Sequence, residues 1–127
     1  MRRLVLLAVA GLLVLVGCSS TSSETCQTLM TDRADISLMA SVREETSLTS
    51  LEGRLEIAKE ASGTMQEAGA PVAGLNGAIN NFQLVLDEAS GKGNEAGEHA
   101  QQLSDAGAEI LTQYDLQFAG LGCAMGT

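Results

Sequence analysis

The chain has no tryptophan, and one tyrosine and two phenylalanines are all its aromatic residues. So few rings give no stacking platform for sugars, nucleobases or haem, which are commonly gripped by aromatic faces. His99 is the single histidine in 127 residues. That leaves no imidazole cluster for a catalytic metal, which takes three or four ligands, and just one base for any Ser-His-Asp arrangement. Basic residues are scarce as well: 7 Lys and Arg stand against 16 Asp and Glu, for a net charge of −9. An acidic body repels the phosphate backbone, so no nucleic acid is expected among the partners. Period-two alternation of apolar and polar residues is missing, which argues against strands. The longest apolar run, residues 4–16, falls short of the roughly 20 residues that a membrane-spanning helix needs.

That run is nevertheless informative. It follows Arg2 and Arg3 and ends in Leu15-Val16-Gly17-Cys18. A basic start, a short apolar stretch and a small residue before the cut mark a secretory signal. The tetrapeptide resembles the lipobox of bacterial lipoproteins, in which cleavage falls just before a diacylglyceryl-bearing cysteine. The resemblance covers residues 1–19 alone. It implies that residues 1–17 are a signal peptide that is removed, and that Cys18 is lipidated. It also implies an extracytoplasmic, lipid-anchored address on the cell membrane or the outer membrane. Two or three acyl chains on one cysteine make a stable anchor, where a single chain binds marginally. Arg2-Arg3 lacks the polar context of a twin-arginine signal, so general secretion is the expected route.

Loss of Arg2 and Arg3 would leave 5 basic against 16 acidic residues, a net charge of −11. Such a balance keeps the body soluble and favours cationic partners. Of the three cysteines, lipid would consume Cys18, leaving Cys26 and Cys123 in an oxidising compartment. Two remaining thiols near opposite ends of the domain read as one disulfide. Closing a loop of nearly a hundred residues is worth at most about 4–5 kcal/mol in the chain-entropy account. Residues 18–25 read as a lipidated cysteine plus Ser/Thr tether, 26–123 as one domain and 124–127 as a short tail. The serine tether reaches no more than roughly 20 Å.

Beyond the tether the pattern is helical. Leu48, Leu51, Leu55, Ala58, Ser62, Met65 and Gly69 step by threes and fours, as do Val72, Leu75, Ile79, Phe82, Leu86 and Ala89. A third series, with one step skipped, runs through Ala100, Leu103, Gly107, Ile110, Tyr114 and Leu121. This spacing is that of bundle helices packed along a seam. The first segment, residues 26–43, carries two competing stripes, Met30/Ala34/Leu38/Val42 and Leu29/Ile36/Met39. Breaks fall at residues 45–47, 69–71 and 90–94. Thr21 with Glu24, and Thr49 with Glu52, have capping-box spacing; Pro71 suits a first helical turn and Asn94 an N-cap. The expected fold is all-α, an antiparallel up-down-up-down four-helix bundle closed by Cys26–Cys123. The rival is a three-helix hairpin whose long middle helix is kinked at Pro71. Gly53, Gly74, Gly77, Gly97 and Gly107 lie inside the expected helices at about 0.8–1 kcal/mol each against alanine. Ordinary tight packing accounts for them more simply than a mobile ligand pocket.

No constellation carries chemistry. Glu95 and His99 share a helical face but lack further ligands, so neither a metal nor a cofactor is expected. Met30, Met39, Met65 and Met125 read as core filler, as do Phe82, Tyr114 and Phe118. Glu52, Glu56 and Glu60 form a solvated face. Gly91-Lys92-Gly93 lacks the spacing of a phosphate loop. The chain is therefore expected to be a non-catalytic interaction module rather than an enzyme. A membrane-remote tip formed by Glu44, Glu45, Lys92, Glu95, Glu98 and an exposed His99 would meet a cationic protein. An immunity or exclusion role is one concrete form. The alternative is a carrier of a small apolar ligand, with its pocket between the helices.

Overall fold

The computed structural model describes residues 21–123; the lipobox, Cys18, the tail and Met125 lie outside the described residues. Four α-helices form in this span: α1 (Ser23–Ser37), α2 (Leu48–Glu67), α3 (Ala73–Ser90) and α4 (Ala100–Gly120), and no strand is among the described residues. Short 3-10 turns follow α1 at Leu38–Ala40 and precede α4 at Gly97–His99. The kinked three-helix alternative does not hold, because α2 ends at Glu67 and Pro71 lies in the connection before α3.

Local chemistry sets most boundaries. The Ser22 side chain accepts from Thr25 N–H at 3.1 Å and Ser47 accepts from Ser50 N–H at 3.3 Å, so both are N-caps. Helix α1 thus takes in the last three residues of the segment expected to be tether, Ser23, Glu24 and Thr25. Thr21 is tied down too, its hydroxyl donating to the Leu121 carbonyl at 2.7 Å. Asn94 caps nothing; its carbonyl accepts from Leu48 N–H at 2.8 Å, and α4 starts six residues later. Two helices end in the same way. After α2, Gly69 has φ +101° while Ala70 N–H returns to Met65 O and Gly69 N–H to Gln66 O. After α4, Gly122 has φ +83° while Cys123 N–H returns to Phe118 O and Gly122 N–H to Ala119 O. These are Schellman motifs, which need a left-handed residue and hence favour glycine. The second one swings Cys123 back toward α1.

There it meets Cys26, bridged with a Cα–Cα distance of 5.4 Å, well inside the range a disulfide tolerates. The seams of α2, α3 and α4 are buried as their spacing predicts, with Phe82, Tyr114 and Phe118 fully enclosed. Gly69 is the exception, exposed in the turn beyond α2. In α1 the Leu29/Ile36/Met39 stripe wins and is fully buried, whereas Ala34 and Leu38 face solvent. Met30 is half-buried, and Val42 enters the core from the linker. Buried Tyr114 explains part of that choice, since its hydroxyl donates to the Leu29 carbonyl and turns that side of α1 inward. Arg33 adds a two-pronged bond to Asp115 (2.7 and 2.9 Å), and Arg54 reaches Asp35 at 2.9 Å.

One of the helical glycines is a packing requirement in the strict sense. A Cβ at Gly107 would lie 2.0 Å from the Met39 carbonyl oxygen and 3.0 Å from Ala40 N. The 3-10 turn therefore lies directly on α4, fixed further by Ser104, whose hydroxyl accepts from Val42 N–H (2.7 Å) and donates to Val42 O (3.1 Å). That seat explains why α1 stops at Ser37 and does not run on toward Arg43. Gly53 and Gly77, by contrast, have nothing within 4 Å of a built Cβ, and Gly74 meets the flexible end of Gln113. Gly97 lies in the 3-10 turn at φ +52° and not inside a helix.

Candidate functional site

The two linkers expected to form the tip, residues 41–47 and 91–99, are joined backbone to backbone. Leu48 N–H donates to Asn94 O (2.8 Å), Ala96 N–H to Thr46 O (2.9 Å) and Gly97 N–H to Glu44 O (2.9 Å). Ser47 and Glu95 form an isolated antiparallel bridge. Within the first linker, Thr46 Oγ1 accepts from Arg43 N–H at 2.8 Å, and Thr46 N–H donates to Arg43 O at 3.0 Å. Residues that the sequence reading could place only near one another are thus fixed in one frame. Ala96, 2 % exposed, nails the frame to the core.

On this frame Glu44, Glu45, Lys92, Glu95 and Glu98 are all exposed. Lys92 Nζ and Glu98 Oε2 pair at 2.9 Å. That hydrogen bond and the accompanying charge attraction push the Lys92 ammonium above its ordinary range and hold the Glu98 carboxyl below its own. Both groups are solvated, so the pair organises the surface more than it stabilises the fold. The site therefore carries three carboxylates, those of Glu44, Glu45 and Glu95, to which no lysine or arginine is bridged among the described residues.

His99 departs from expectation. It is 9 % exposed and counts among the buried residues, not among the surface contacts of an acidic patch. The cause is the 3-10 turn, which continues the α4 seam upward through Ala96, His99 and Ala100. A step of four back from Leu103 lands on His99, and a further step of three on Ala96, so the three-four spacing contains this reading. His99 is accordingly not part of the exposed surface that the two linkers form.

The opposite set of contacts surrounds the disulfide. A cleft of about 520 Å³ is lined by Thr21, Ser23, Cys26, Gln27, Met30, Gly122 and Cys123. Half of that lining is hydroxyl, amide or backbone, and it lies beside the bridge and not along the seams between helices. Among the described residues no group of three or more His, Cys, Asp or Glu stands close enough to hold a metal ion. No helix among them is long and apolar enough to cross a membrane. Glu52, Glu56 and Glu60 are exposed along α2, as a solvated face requires. Sequence reasoning missed Ser104, Arg33 and Asp115, whose value lies in contacts between elements distant in sequence, for which no local pattern exists.

The chain matches no protein family, and no characterised protein or solved structure is similar to it.

Proposed function

We propose that the chain is an envelope lipoprotein, anchored through lipidated Cys18, that presents an acidic tip to a cationic protein partner without catalysing a reaction. Its body is an antiparallel up-down-up-down four-helix bundle. The order of contacts supports that topology: Cys26 meets Cys123, Arg33 meets Asp115 and Val42 meets Ser104, so α1 and α4 pair in opposite directions. Ser62–Asn76 and Lys59–Gln83 support the same for α2 and α3. In this arrangement the disulfide and the tether face the membrane, on the extracytoplasmic side of the cell membrane or outer membrane, and the linker pair faces away from it.

One observation carries the reading: the backbone bonds between residues 44–48 and 94–97 hold Glu44, Glu45 and Glu95 on a rigid, exposed frame. Rigid placement matters because ordering a loop upon binding costs affinity, and a surface held in place avoids that cost. A body of net charge −11 steers cationic proteins toward the tip, at a rate that falls as salt rises. An immunity or exclusion protein that blocks a basic toxin or an incoming phage factor is the concrete form we favour. Converting Glu44 and Glu45 together to lysine should abolish capture of the partner while leaving the thermal melt unchanged, because both side chains are solvated. Undiminished capture by that variant would contradict the reading. A carrier role has less support, since the cleft of about 520 Å³ lies beside the disulfide and the one between α2 and α3, about 280 Å³, is lined mostly by the polar Glu52, Glu56 and Gln83.

A further inference from the structure

Helix α3 has a second face that the bundle does not use. Its buried seam (Leu75, Ile79, Phe82, Leu86) accounts for one side. On the other, Ala73, Gly77, Asn80, Asn81 and Leu84 are all exposed, Leu84 to 68 %. They follow the three-four spacing of a packing seam. The surrounding charge pattern is also unusual for this protein. Residues 68–86 contain no Asp, Glu, Lys or Arg, in a chain with 16 acidic side chains. Gly77 has open space around a built Cβ, so no contact within the fold calls for a glycine there. At the start of α3, Val72 offers no side-chain cap and the first turn has no acidic residue. Its leading N–H groups, and the positive end of the helix dipole, are left without a side-chain partner.

We infer that this face of α3 is a self-association surface for a second copy of the chain, packed antiparallel about a two-fold axis between Asn80 and Asn81. That register answers each feature at once. Leu84 of one copy falls opposite Gly77 of the other, a large side chain over a residue with none. Asn80 and Asn81 meet their counterparts at the axis, where paired amides donate and accept in turn. Glu88, exposed at the far end of the same stripe, reaches the start of the other α3 near Ala73. There its carboxylate supplies the negative charge and acceptor atoms that the uncapped terminus lacks. An isologous contact needs this kind of self-complementarity. Two bodies of like charge can meet on this face without setting acid against acid, because its carboxylates, Asp87 and Glu88, stand at one end, opposite Gly74 and Ala73 of the other copy. The contact spans roughly 23 Å of helix at 1.5 Å per residue. A single helix pair falls short of the area of stable interfaces, so the dimer is weak and concentration-dependent. The disulfide ends of the two copies point in opposite directions, so anchored copies meet across facing surfaces and not side by side on one.

Variants of the full-length chain with one added cysteine each, in mild detergent where the amino termini are unconstrained, test the register. Mixing Gly77→Cys with Leu84→Cys under mild oxidation should give a crosslinked heterodimer, with neither variant crosslinking appreciably to itself. Adding Glu at position 84 (Leu84→Glu) in the otherwise native chain should weaken association at least tenfold by sedimentation equilibrium. Its melt should be unaltered, because Leu84 contributes little to the core. Absence of crosslinks in the mixture would overturn the proposal, as would Gly77→Cys crosslinking to itself, the mark of a parallel pair. Association unchanged in Leu84→Glu would overturn it as well.

Discussion

Gly107→Ala separates two effects that usually travel together. Alanine is the better helix former by about 0.8–1 kcal/mol, so at a neutral position the change stabilises. At position 107 the new methyl would lie 2.0 Å from Met39 O, 2.4 Å from Met39 C and 3.0 Å from Ala40 N. All three are backbone atoms, which no rotamer change can move aside. Restoring ordinary contact at 3.4 Å requires the 3-10 turn to retreat by about 1.4 Å. Overpacking of this kind costs about 1–3 kcal/mol. The retreat also stretches the two Ser104–Val42 bonds, now 2.7 and 3.1 Å, each worth about 0.5–1.5 kcal/mol. Against the propensity gain, the net loss is about 2–3 kcal/mol. For a domain of this size that lowers Tm by roughly 10–20 °C. Gly53→Ala is the matched control: nothing lies within 4 Å of its Cβ, so Tm should rise by about 3–8 °C. Thermal unfolding followed by circular dichroism reads both. A Gly107→Ala protein as stable as its parent would refute the close seating of the turn on α4.

Further outcomes follow from the same contacts. Reducing the Cys26–Cys123 bridge, or replacing both cysteines with alanine, should destabilise by up to about 4–5 kcal/mol, visible as a fall in the urea midpoint. Tyr114→Phe leaves the ring in place and removes the bond to the Leu29 carbonyl, at a cost of about 0.5–1.5 kcal/mol in the same titration. Asp32 is half-buried, and desolvation, then the charges of Asp35 and Glu60, raise its pKa. A raised carboxyl binds its proton more tightly in the folded state, so the ionised group destabilises at neutral pH and that penalty fades as pH falls through its folded pKa. Asp32→Asn should therefore be slightly more stable than the parent at pH 7, by about 0.5 kcal/mol or less, with the advantage shrinking in acid. An advantage that grows on acidification would contradict the assignment.

Much of this architecture can be read from the chain because it rests on local pattern. The α2 and α3 seams are unbroken three-four series and that of α4 lacks one step, and the breaks coincide with glycine, serine and proline. Cysteine parity pointed to the bridge that the structure contains. The unread parts share one cause, which is contact between segments far apart in sequence. Two stripes of α1 are both apolar, and part of the decision between them lies with Tyr114, 85 positions from Leu29. Helix α1 stops where the Gly107 surface needs the backbone to come down, which no residue within α1 announces. The same holds for the tip. Its members were legible as charged residues beside two breaks, but their joining by backbone bonds was not. His99 differs from expectation because the step of three from Leu103 leads to Ala100 and the step of four leads to His99, and both are buried.

The claim that matters most is recognition of a cationic protein by the acidic tip. Immobilised chain should be exposed to envelope extract and washed with a salt gradient, side by side with the Glu44→Lys, Glu45→Lys form. The account predicts one basic protein, retained by the native chain, released at moderate salt and missing from the charge-reversed column. Retention of the same protein by both columns, or its release only at salt too high for an electrostatic contact, would contradict it.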